Sequence, residues 1–556
     1  MKKFFSLMMI VVCLWTATWN LGVVGAQEAK ESMRGEILRG EYGPLRANND
    51  LLSYHLDIRV DPEKKTIDGK NTIRFRMLQD DHRIQIDLYE NLTVEKILLG
   101  DKTLEYGREL NAVFIEFPQV LKSGQEYSID FYYSGEPKAK GRFGGISFRE
   151  DPAGRPWIYT ACEGEGSSIW WPSKDQWRDE PESMDISVSV PNDLTDVSNG
   201  RFIGKTDLGD GYTRWDWRVH YPINAYNVSL NIGKYEHFAD TLGELTLDFY
   251  ALPEDLEKAK TQFAQVKPML EAYQHFVGEY PFPKDGYKLI QVPYTGMEHQ
   301  SAVTYGNGFK NGYGGRDWTG VGVSPKFDFI IIHESGHEWF GNAVSAADVA
   351  DMWIHEGWTT YLEALYVEHV FGAEDALKYI NGYKTKVQNR QPIITERGLQ
   401  REPPQDQYFK GALFLHTLRG VMNDDAKWFD LVRETYQTFK YKSILTEDIV
   451  QLFNQRFGRD MTPVFNQYLR HTELPTLELA FGDGGHLVSY RWVADEPGFA
   501  MPVRVGNSKE WFTIEPTTEW QTVKSELTKD KIEVATELYY INLQKIDRLE
   551  KVGADK

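Results

Sequence analysis

With 556 residues, of which 41% are hydrophobic and 13% aromatic, the chain is long enough for three or four domains with large cores. Its formal net charge of −20 at pH 7 makes it a poor partner for nucleic acid or an anionic membrane surface. Cys162 is the only cysteine beyond residue 26, so a mature chain without those residues has no intrachain disulfide.

The first 26 residues have the pattern of a secretory signal peptide. Lys2 and Lys3 form a positive start, residues 4–14 are apolar, and Val24-Gly25-Ala26 is a small-residue cleavage site. We therefore expect an exported protein, periplasmic or secreted, that starts at Gln27. The alternative is an uncleaved membrane anchor, because the apolar character continues, with interruptions, through this segment. No second stretch of eighteen apolar residues follows, so no membrane insertion is expected after cleavage.

Hydrophobic periodicity divides the rest of the chain into an N-terminal β region, a helical middle region and a C-terminal β region. Alternating runs such as Tyr54 to Val60 and Thr72 to Met77 predict strands in the first region, and the run from Leu256 to Tyr280 predicts helices in the second. Strand patterns return at Leu487 to Trp492 and predict a small β-sandwich. The predicted segments are a flexible leader at 27–47, a β domain at 48–247, a helical domain at 248–472, a β-sandwich at 473–546 and a charged tail at 547–556.

One short pattern in the helical region points to metal chemistry. His333-Glu334-Ser335-Gly336-His337 is followed, after eighteen further residues, by Glu356. On a helix, His333 and His337 lie one turn apart on the same face and can bind one metal ion. Two imidazoles and one carboxylate suit catalytic zinc, which keeps a fourth position for water, and Glu334 can take the proton of that water. The alternative is an ordinary buried helix with two hydrogen-bonded histidines.

Two nearby features extend this prediction. Ser324 and Pro325 offer an N-cap and a first-turn proline for the helix that carries the motif. Glu363 lies seven residues after Glu356, two helical turns along the same face. It could therefore accept a hydrogen bond from the non-ligating nitrogen of a zinc histidine, with a solvent-facing acid as the alternative.

Together with four other segments, the motif and its continuation to Asn342 resemble the M1 (gluzincin) aminopeptidases. The four segments are Thr160 to Gly166, Thr295-Gly296-Met297-Glu298-His299, Trp353 to Gly357 and Gln407 to Ala412. The resemblance implies a multidomain α+β fold: an N-terminal β saddle domain, a thermolysin-like, mostly helical catalytic domain and a C-terminal β-sandwich. It implies one Zn²⁺ per chain. Many members add a helical C-terminal domain, for which this chain is too short, so we expect the three-domain form without it.

The resemblance also implies roles for individual side chains. Glu334 would act as the general base toward the zinc-bound water, and Tyr408 would donate a hydrogen bond to the oxyanion. Glu298 is the first candidate to bind the free ammonium group of the substrate, and Glu163 is the second. Met297 would line the pocket for the side chain of the substrate's first residue. The alternatives are a core aromatic for Tyr408, surface acids for the two glutamates and simple core packing for Met297.

Three positions depart from the family pattern. Gly296 and His299 are expected to bind substrate, but His299 stands where the family has Asn, and Thr295 where it has Gly. A histidine could donate the same hydrogen bond to the substrate backbone, with a charge that changes near pH 6–7. Ala161 replaces a Gln that is common in the loop of the β domain.

The expected function is hydrolysis of the N-terminal peptide bond of peptides with a free N-terminus. One alternative is a zinc endopeptidase, which would need no ammonium clamp. Another is an epoxide hydrolase, although the branch of the family with that activity has Asp where this chain has Gln400. The last is a catalytically inactive peptide-binding protein. The preferred first residue and the oligomeric state are left open by the sequence.

Overall fold

A computed structural model describes residue 30 and residues 32–140, 144–482, 487–507, 510–524 and 529–546. The predicted signal peptide at 1–26 and the predicted tail at 547–556 lie outside these residues. None of the helices in the described part of the chain is long and apolar enough to cross a membrane.

The N-terminal region is built of strands, as its alternating pattern predicts. Strands β1 to β16 lie, in order, at Asn49–Asp61, Thr66–Met77, Asp81–Asp87, Leu92–Leu99, Lys102–Thr103, Glu105–Glu109, Ala112–Leu121, Glu126–Gly135, Ala139–Lys140, Gly144–Glu150, Pro156–Ala161, Ser183–Pro191, Thr195–Ser198, Arg201–Asp207, Tyr212–Val219 and Leu230–Gly233. The largest sheet has the order β14-β15-β12-β1-β2-β8-β4-β5. Two smaller sheets have the orders β13-β16-β11-β10-β9 and β3-β7-β6.

Strand β1 shows why this region folds as a sheet with one buried face. Tyr54, Leu56, Ile58 and Val60 are buried, and the residues between them are partly exposed. Side chains alternate between the two faces of a strand, so this spacing puts every apolar side chain on the core side. The strand pairs antiparallel with β2 and parallel with β12, which places it in the centre of the sheet.

Residues 32–47 do not form the flexible leader that their polar composition predicted. Residues 32–40 are helical (α1), and Pro44–Ala47 forms a short helix (α2). The guanidinium group of Arg46 is buried and donates a hydrogen bond to the carboxylate of Asp87 on β3. The prediction was wrong because composition does not show that a charged side chain will find a buried partner.

The described part of the middle region is mostly helical and carries a five-stranded sheet and a two-stranded sheet. Strands β17 to β23 lie at Glu236–Leu242, Leu245–Ala251, Tyr287–Gln291, Gly296–Met297, Val303–Tyr305, Val344–Ala346 and Lys442–Ile444. Helices α3 to α11 lie at Leu256–Gln262, Val266–Phe276, Phe329–Gly336, Trp353–Phe371, Ala373–Gly382, Asp406–Met422, Asp425–Phe439, Thr446–Phe457 and Thr462–Leu469. The five-stranded sheet has the order β17-β18-β19-β21-β20, and β22 pairs with β23. Helix α5 packs on β20 and β21, and α6 packs on α5 and α8.

The boundary predicted between residues 247 and 248 falls inside strand β18. Strands β17 and β18 form an antiparallel hairpin, and β18 then pairs in parallel with β19 of the helical region. This hairpin therefore belongs to the five-stranded sheet of the helical region. Periodicity missed the division because strands on either side of a domain boundary have the same alternating pattern.

The described residues of the C-terminal region form two separate sheets. Strands β24 to β30 lie at Thr476–Gly482, Leu487–Val493, Val503–Gly506, Trp511–Ile514, Gln521–Lys524, Glu533–Val534 and Asn542–Ile546. The sheets have the orders β28-β25-β24-β30 and β27-β26-β29. Leu477 and Trp492 of the first sheet and Val503 of the second are buried in the hydrophobic core.

The Arg46–Asp87 pair gives a prediction about stability. Arg46→Met leaves the Asp87 carboxylate buried without its cation, so we expect the free energy of unfolding to fall by about 3–5 kcal/mol. The control is Arg34→Met, which removes an exposed pair with Glu109 and should cost less than about 1 kcal/mol. Urea unfolding monitored by tryptophan fluorescence measures both. Equal losses for the two variants would show that burial of the Arg46 pair is unimportant.

Candidate metal centre

Helix α5, which carries the metal motif, begins at Phe329 and is capped by Asp328. The Asp328 carboxylate accepts hydrogen bonds from two backbone N–H groups of the first turn, at 3.1 and 3.5 Å. The prediction that Ser324 and Pro325 start this helix was wrong, because Ser324–Lys326 forms a separate 3₁₀ turn. Asp328 satisfies the free N–H groups of the helix and makes the earlier cap unnecessary.

His333, His337 and Glu356 converge on one point. Oε2 of Glu356 lies 3.4 Å from Nε2 of His333 and 3.3 Å from Nε2 of His337. Tetrahedral zinc with bonds of about 2.0–2.1 Å separates its ligand atoms by about 3.3 Å, so the spacing fits this metal. The same Glu356 oxygen is buried and has no hydrogen-bond partner among the described residues. Burial acts to raise the pKa of Glu356, but the two imidazoles hold it below its ordinary value, which keeps the carboxylate ionised.

Glu363 holds the first histidine in place. Nδ1 of His333 donates to Oε1 of Glu363 at 2.6 Å, the hydrogen bond that helical spacing predicted. The other oxygen of Glu363 accepts hydrogen bonds from the hydroxyl groups of Tyr379, at 2.6 Å, and Tyr383. With Nδ1 occupied, Nε2 of His333 is the nitrogen directed at the metal position.

The second histidine is oriented by backbone and by helix α6. Nδ1 of His337 lies 3.1 Å from the carbonyl oxygen of Phe340 and 3.1 Å from the hydroxyl of Thr359. Thr359 lies between Glu356 and Glu363 on α6, so three residues on one face of that helix contact the histidine motif. This arrangement leaves Nε2 of His337 for the metal.

His333, His337 and Glu356 border a cavity of about 290 Å³. Its lining includes Gly296, Met297, Glu298, Glu163, Glu334 and Tyr408, each predicted from the sequence, as well as those three residues and Glu363. Burial raises the pKa of Glu334 to about 7, with the nearby carboxylates adding to the effect and His333 opposing it. A carboxylate with a raised pKa suits the transfer of a proton near neutral pH.

His299 is the predicted site residue that does not line this cavity. Its side chain is fully buried, and neither ring nitrogen has a hydrogen-bond partner in the part of the chain that the structure describes. Burial lowers the pKa of His299 to about 3, so the expectation that its charge changes near pH 6–7 was wrong. The buried imidazole of His299 is therefore neutral and does not change its charge near pH 6–7.

Two carboxylates in the cavity are arranged to attract a cation. Burial raises the pKa of Glu163 well above its ordinary value, and the carboxylate of Glu298 raises it further. Burial also raises the pKa of Glu298. Oε1 of Glu163 is buried and has no hydrogen-bond partner among the described residues. A positive group between these carboxylates would relieve their desolvation and their mutual repulsion.

Tyr226 is a residue of this site that sequence reasoning missed. It is fully buried in the N-terminal region, and its hydroxyl donates to Oε1 of Glu298 at 2.9 Å. Its ring stacks on Trp177, which in turn stacks on His355, the residue before the ligand Glu356. The sequence carries no signal for this contact because Tyr226 lies 72 positions from Glu298.

Tyr408 reaches the cavity because helices α6 and α8 approach closely. A Cβ atom added to Gly411 would lie 3.0 Å from Cα of Gly357, so glycine allows the two backbones to meet. The ring of Tyr408 then lies 6.0 Å from that of His333, between ring centres. Burial raises the pKa of Tyr408 well above its ordinary value, which keeps its hydroxyl a hydrogen-bond donor.

Two family models match the chain. The Peptidase M1 N-terminal domain matches residues 51–226, and the Peptidase family M1 domain matches residues 261–468. The chain belongs to the M1 peptidase family. The match to the Peptidase family M1 domain contains His333, His337 and Glu356, and the N-terminal match contains Glu163 and Tyr226.

Two curated proteins are similar to this M1 chain over part of their length. Leukotriene A-4 hydrolase of Xenopus laevis is 23% identical over 421 residues, 71% of this chain and 66% of the relative. Probable aminopeptidase 2 of Sulfurisphaera tokodaii is 22% identical over 381 residues, 65% of this chain and 47% of the relative. The match thus spans a little under two thirds of one relative and about half of the other.

Solved structures share the fold of the M1 chain. The M1 zinc metallopeptidase of Deinococcus radiodurans is 21% identical and superimposes with a TM-score of 0.64, covering 77% of this chain and 95% of that chain. A mutant of that protein bound to Tyr-Ser-Ala gives a TM-score of 0.63, also at 21% identity, covering 77% of this chain and 96% of that chain. At this identity the likeness shows a common fold with an N-terminal β domain and a helical domain.

The hydrogen bond from His333 to Glu363 predicts an effect on metal affinity. Glu363→Gln removes a charged acceptor that orients the imidazole, so we expect zinc to bind about 10- to 100-fold more weakly. The control is Glu368→Gln, which lies on the same helix but pairs with Arg419. Competition with a fluorescent zinc chelator measures both affinities. Unchanged affinity in Glu363→Gln would show that the hydrogen bond plays no part in metal binding.

Proposed function

We propose that the protein is an exported zinc aminopeptidase that hydrolyses the first peptide bond of peptides with a free N-terminus. The observation that carries the proposal is the presence of two kinds of group in one cavity. Three side chains that can hold a metal ion lie beside two carboxylates that a cation would stabilise, the buried Glu298 and the half-buried Glu163, whose Oε1 atom is buried. The first suits hydrolysis, and the second suits an α-ammonium group.

His333, His337 and Glu356 would hold one zinc ion per chain. When bound, zinc lowers the pKa of water and polarises the carbonyl group of the scissile bond. Both histidines present Nε2 to the metal because their Nδ1 atoms are engaged. The ionised carboxylate of Glu356 completes the set of ligands.

Glu334 is the proposed general base. It lines the cavity next to His333 and is buried, so its carboxylate is shielded from competing water. In its ionised form it would take the proton of the attacking water and return it to the nitrogen of the leaving amine. Tyr408 would donate its hydroxyl proton in a hydrogen bond to the carbonyl oxygen as negative charge develops there.

Glu163 and Glu298 would position the substrate by its ammonium group. Tyr226 holds Oε1 of Glu298 at 2.9 Å, which fixes the direction of that carboxylate. A substrate with an acetylated amine would leave both carboxylates buried without a cation, at a large cost in binding. This favours an aminopeptidase over an endopeptidase, which must accept a peptide without a free amine at this point.

Two parts of the proposal concern regions away from the cavity. The sequence pattern of residues 1–26 supports export, to the periplasm or out of the cell. The presence of two C-terminal sheets with buried side chains supports the β-sandwich predicted for residues 473–546.

Hydrolysis of aminoacyl p-nitroanilides by the zinc-loaded protein tests the function. We expect cleavage of substrates with a free amine, no detectable cleavage of their N-acetyl forms, and loss of activity when zinc is removed by a chelator. Glu334→Gln should bind zinc normally and lower kcat by about 10²–10⁴-fold. Equal cleavage of free and acetylated substrates would contradict the aminopeptidase assignment and favour an endopeptidase. Cleavage of neither would favour a peptide-binding protein.

The contact between Tyr226 and Glu298 predicts a change in pH dependence. Tyr226→Phe removes a donor to a charged acceptor, so kcat/KM for free-amine substrates should fall by about 10- to 100-fold. The hydroxyl lowers the pKa of Glu298, and Glu298 must be ionised to bind an ammonium group. The acidic limb of the kcat/KM profile should therefore move to higher pH in the variant.

A matched control separates this effect from a general loss of packing. Tyr468→Phe removes an equally buried hydroxyl, which donates to the carbonyl oxygen of Tyr540. We expect its pH profile to match that of the unmodified protein. A Tyr226→Phe profile that keeps its acidic limb in place would refute the positioning of Glu298 by Tyr226.

A further inference from the structure

A second cavity, here called the side cavity, adjoins the catalytic cavity. It has a volume of about 650 Å³, and its walls come from helix α1, from the β domain around Tyr89 and Glu165, and from Gln400 and Glu402. Gly164 and Glu402 line both cavities, and the boundary that these two residues form is here called the passage. The proposed function uses the catalytic cavity alone and gives no role to the side cavity.

Helix α1 forms a fixed wall of the side cavity. The carboxylate of Glu36 pairs with Arg401 at 2.6 Å, and the carbonyl oxygen of Glu36 accepts a hydrogen bond from the backbone of Gln400 at 3.1 Å. A Cβ atom added to Gly40 would lie 2.4 Å from the carbonyl carbon of Leu399, so the end of the helix touches that segment. The helix precedes both regions that the family models match.

The passage between the cavities begins beside the proposed ammonium clamp. Gly164 follows Glu163 directly, and a Cβ atom added to Gly164 would meet no heavy atom within 4 Å. The first residue of a bound peptide carries its ammonium group and its side chain on the same carbon atom. When Glu163 binds the ammonium group of a peptide, the side chain of its first residue can therefore extend over Gly164 into the side cavity, provided that this side chain is long and unbranched.

The charged groups at the passage favour a cation at the end of that side chain. Glu402 is exposed, and among the described residues its carboxylate has no hydrogen-bond or ion-pair partner. The carboxylates of Glu36, Glu90, Glu165 and Glu402 line the side cavity with one guanidinium group, that of Arg39, which donates to the hydroxyl of Tyr89 at 2.7 Å. Glu402 thus stands on the shared wall as a carboxylate available to an incoming positive group.

We propose that Glu402 selects peptides whose first residue is arginine or lysine, and that the side cavity receives the cationic end of this side chain. The inference rests on the proposed aminopeptidase function and names its substrate class. Glu163 and Glu298 would bind the α-ammonium group of the substrate, and Glu402, across the passage at Gly164, would bind the charged end of its side chain.

Substrates that differ only in charge test this directly. Citrulline has the length and shape of arginine without its charge, so the ratio of kcat/KM for arginine p-nitroanilide over citrulline p-nitroanilide isolates the ionic contribution. We expect a ratio above about tenfold for the unmodified protein, and a ratio lowered about 5- to 10-fold in Glu402→Gln. Glu402→Lys should reverse the preference and favour a glutamate substrate over arginine.

Glu63→Gln is the matched control, because Glu63 is an exposed carboxylate outside the lining of both cavities. We expect it to keep the ratio of the unmodified protein, and thermal melting should show that all variants are folded. An arginine to citrulline ratio that changes less than about twofold in Glu402→Gln would overturn the proposal. A higher kcat/KM of the unmodified protein for citrulline p-nitroanilide than for arginine p-nitroanilide would overturn it as well.

Binding measurements test the selectivity of Glu402 even if the proposed aminopeptidase function is wrong. If no free-amine substrate is hydrolysed, calorimetric binding of argininamide and citrullinamide to the zinc-loaded protein still measures the selectivity. Tighter binding of argininamide that is lost in Glu402→Gln would support the role of Glu402 in a peptide-binding protein. Equal binding of the two amides would reject it.

Discussion

The contact between helices α5 and α6 is the constraint on which the rest of the site depends. Glu356, Thr359 and Glu363 lie on one face of α6 and contact the two histidines at the end of α5. The helices can approach because Gly336 lacks a side chain; an added Cβ atom would lie 3.0 Å from the methyl group of Thr359. A single packing arrangement thus supplies the third ligand and the hydrogen bonds that orient the first two.

Carboxylates concentrated in a small space give the cavity its selectivity. Glu163, Glu298, Glu334 and Glu356 all border about 290 Å³, and burial raises the pKa of the first three. Such a group of charges is unfavourable unless metal and substrate bring positive charge to it. The side chains that support catalysis therefore also discriminate between a free and a blocked amine, and Glu402 extends the same principle to the side chain of the substrate.

The sequence predicted the parts of the site that lie close together along the chain or on one helix. His333, His337 and Glu363 follow from helical spacing, and strand β1 follows from alternation. The missed features depend on contacts between distant segments. Tyr226 reaches Glu298 from another domain, and helix α1 is ordered by contacts with segments that follow it by tens to hundreds of residues. Periodicity carries no information about such partners, nor about burial that keeps His299 uncharged.

A crystal structure of zinc-loaded Glu334→Gln with a bound peptide would test the central claim, which is that one cavity holds both a metal centre and an ammonium clamp. The account predicts zinc on His333, His337 and Glu356, with the peptide's ammonium nitrogen about 2.7–3.2 Å from carboxylate oxygens of both Glu163 and Glu298. A peptide that runs past both carboxylates, with residues on either side of the cavity, would contradict it.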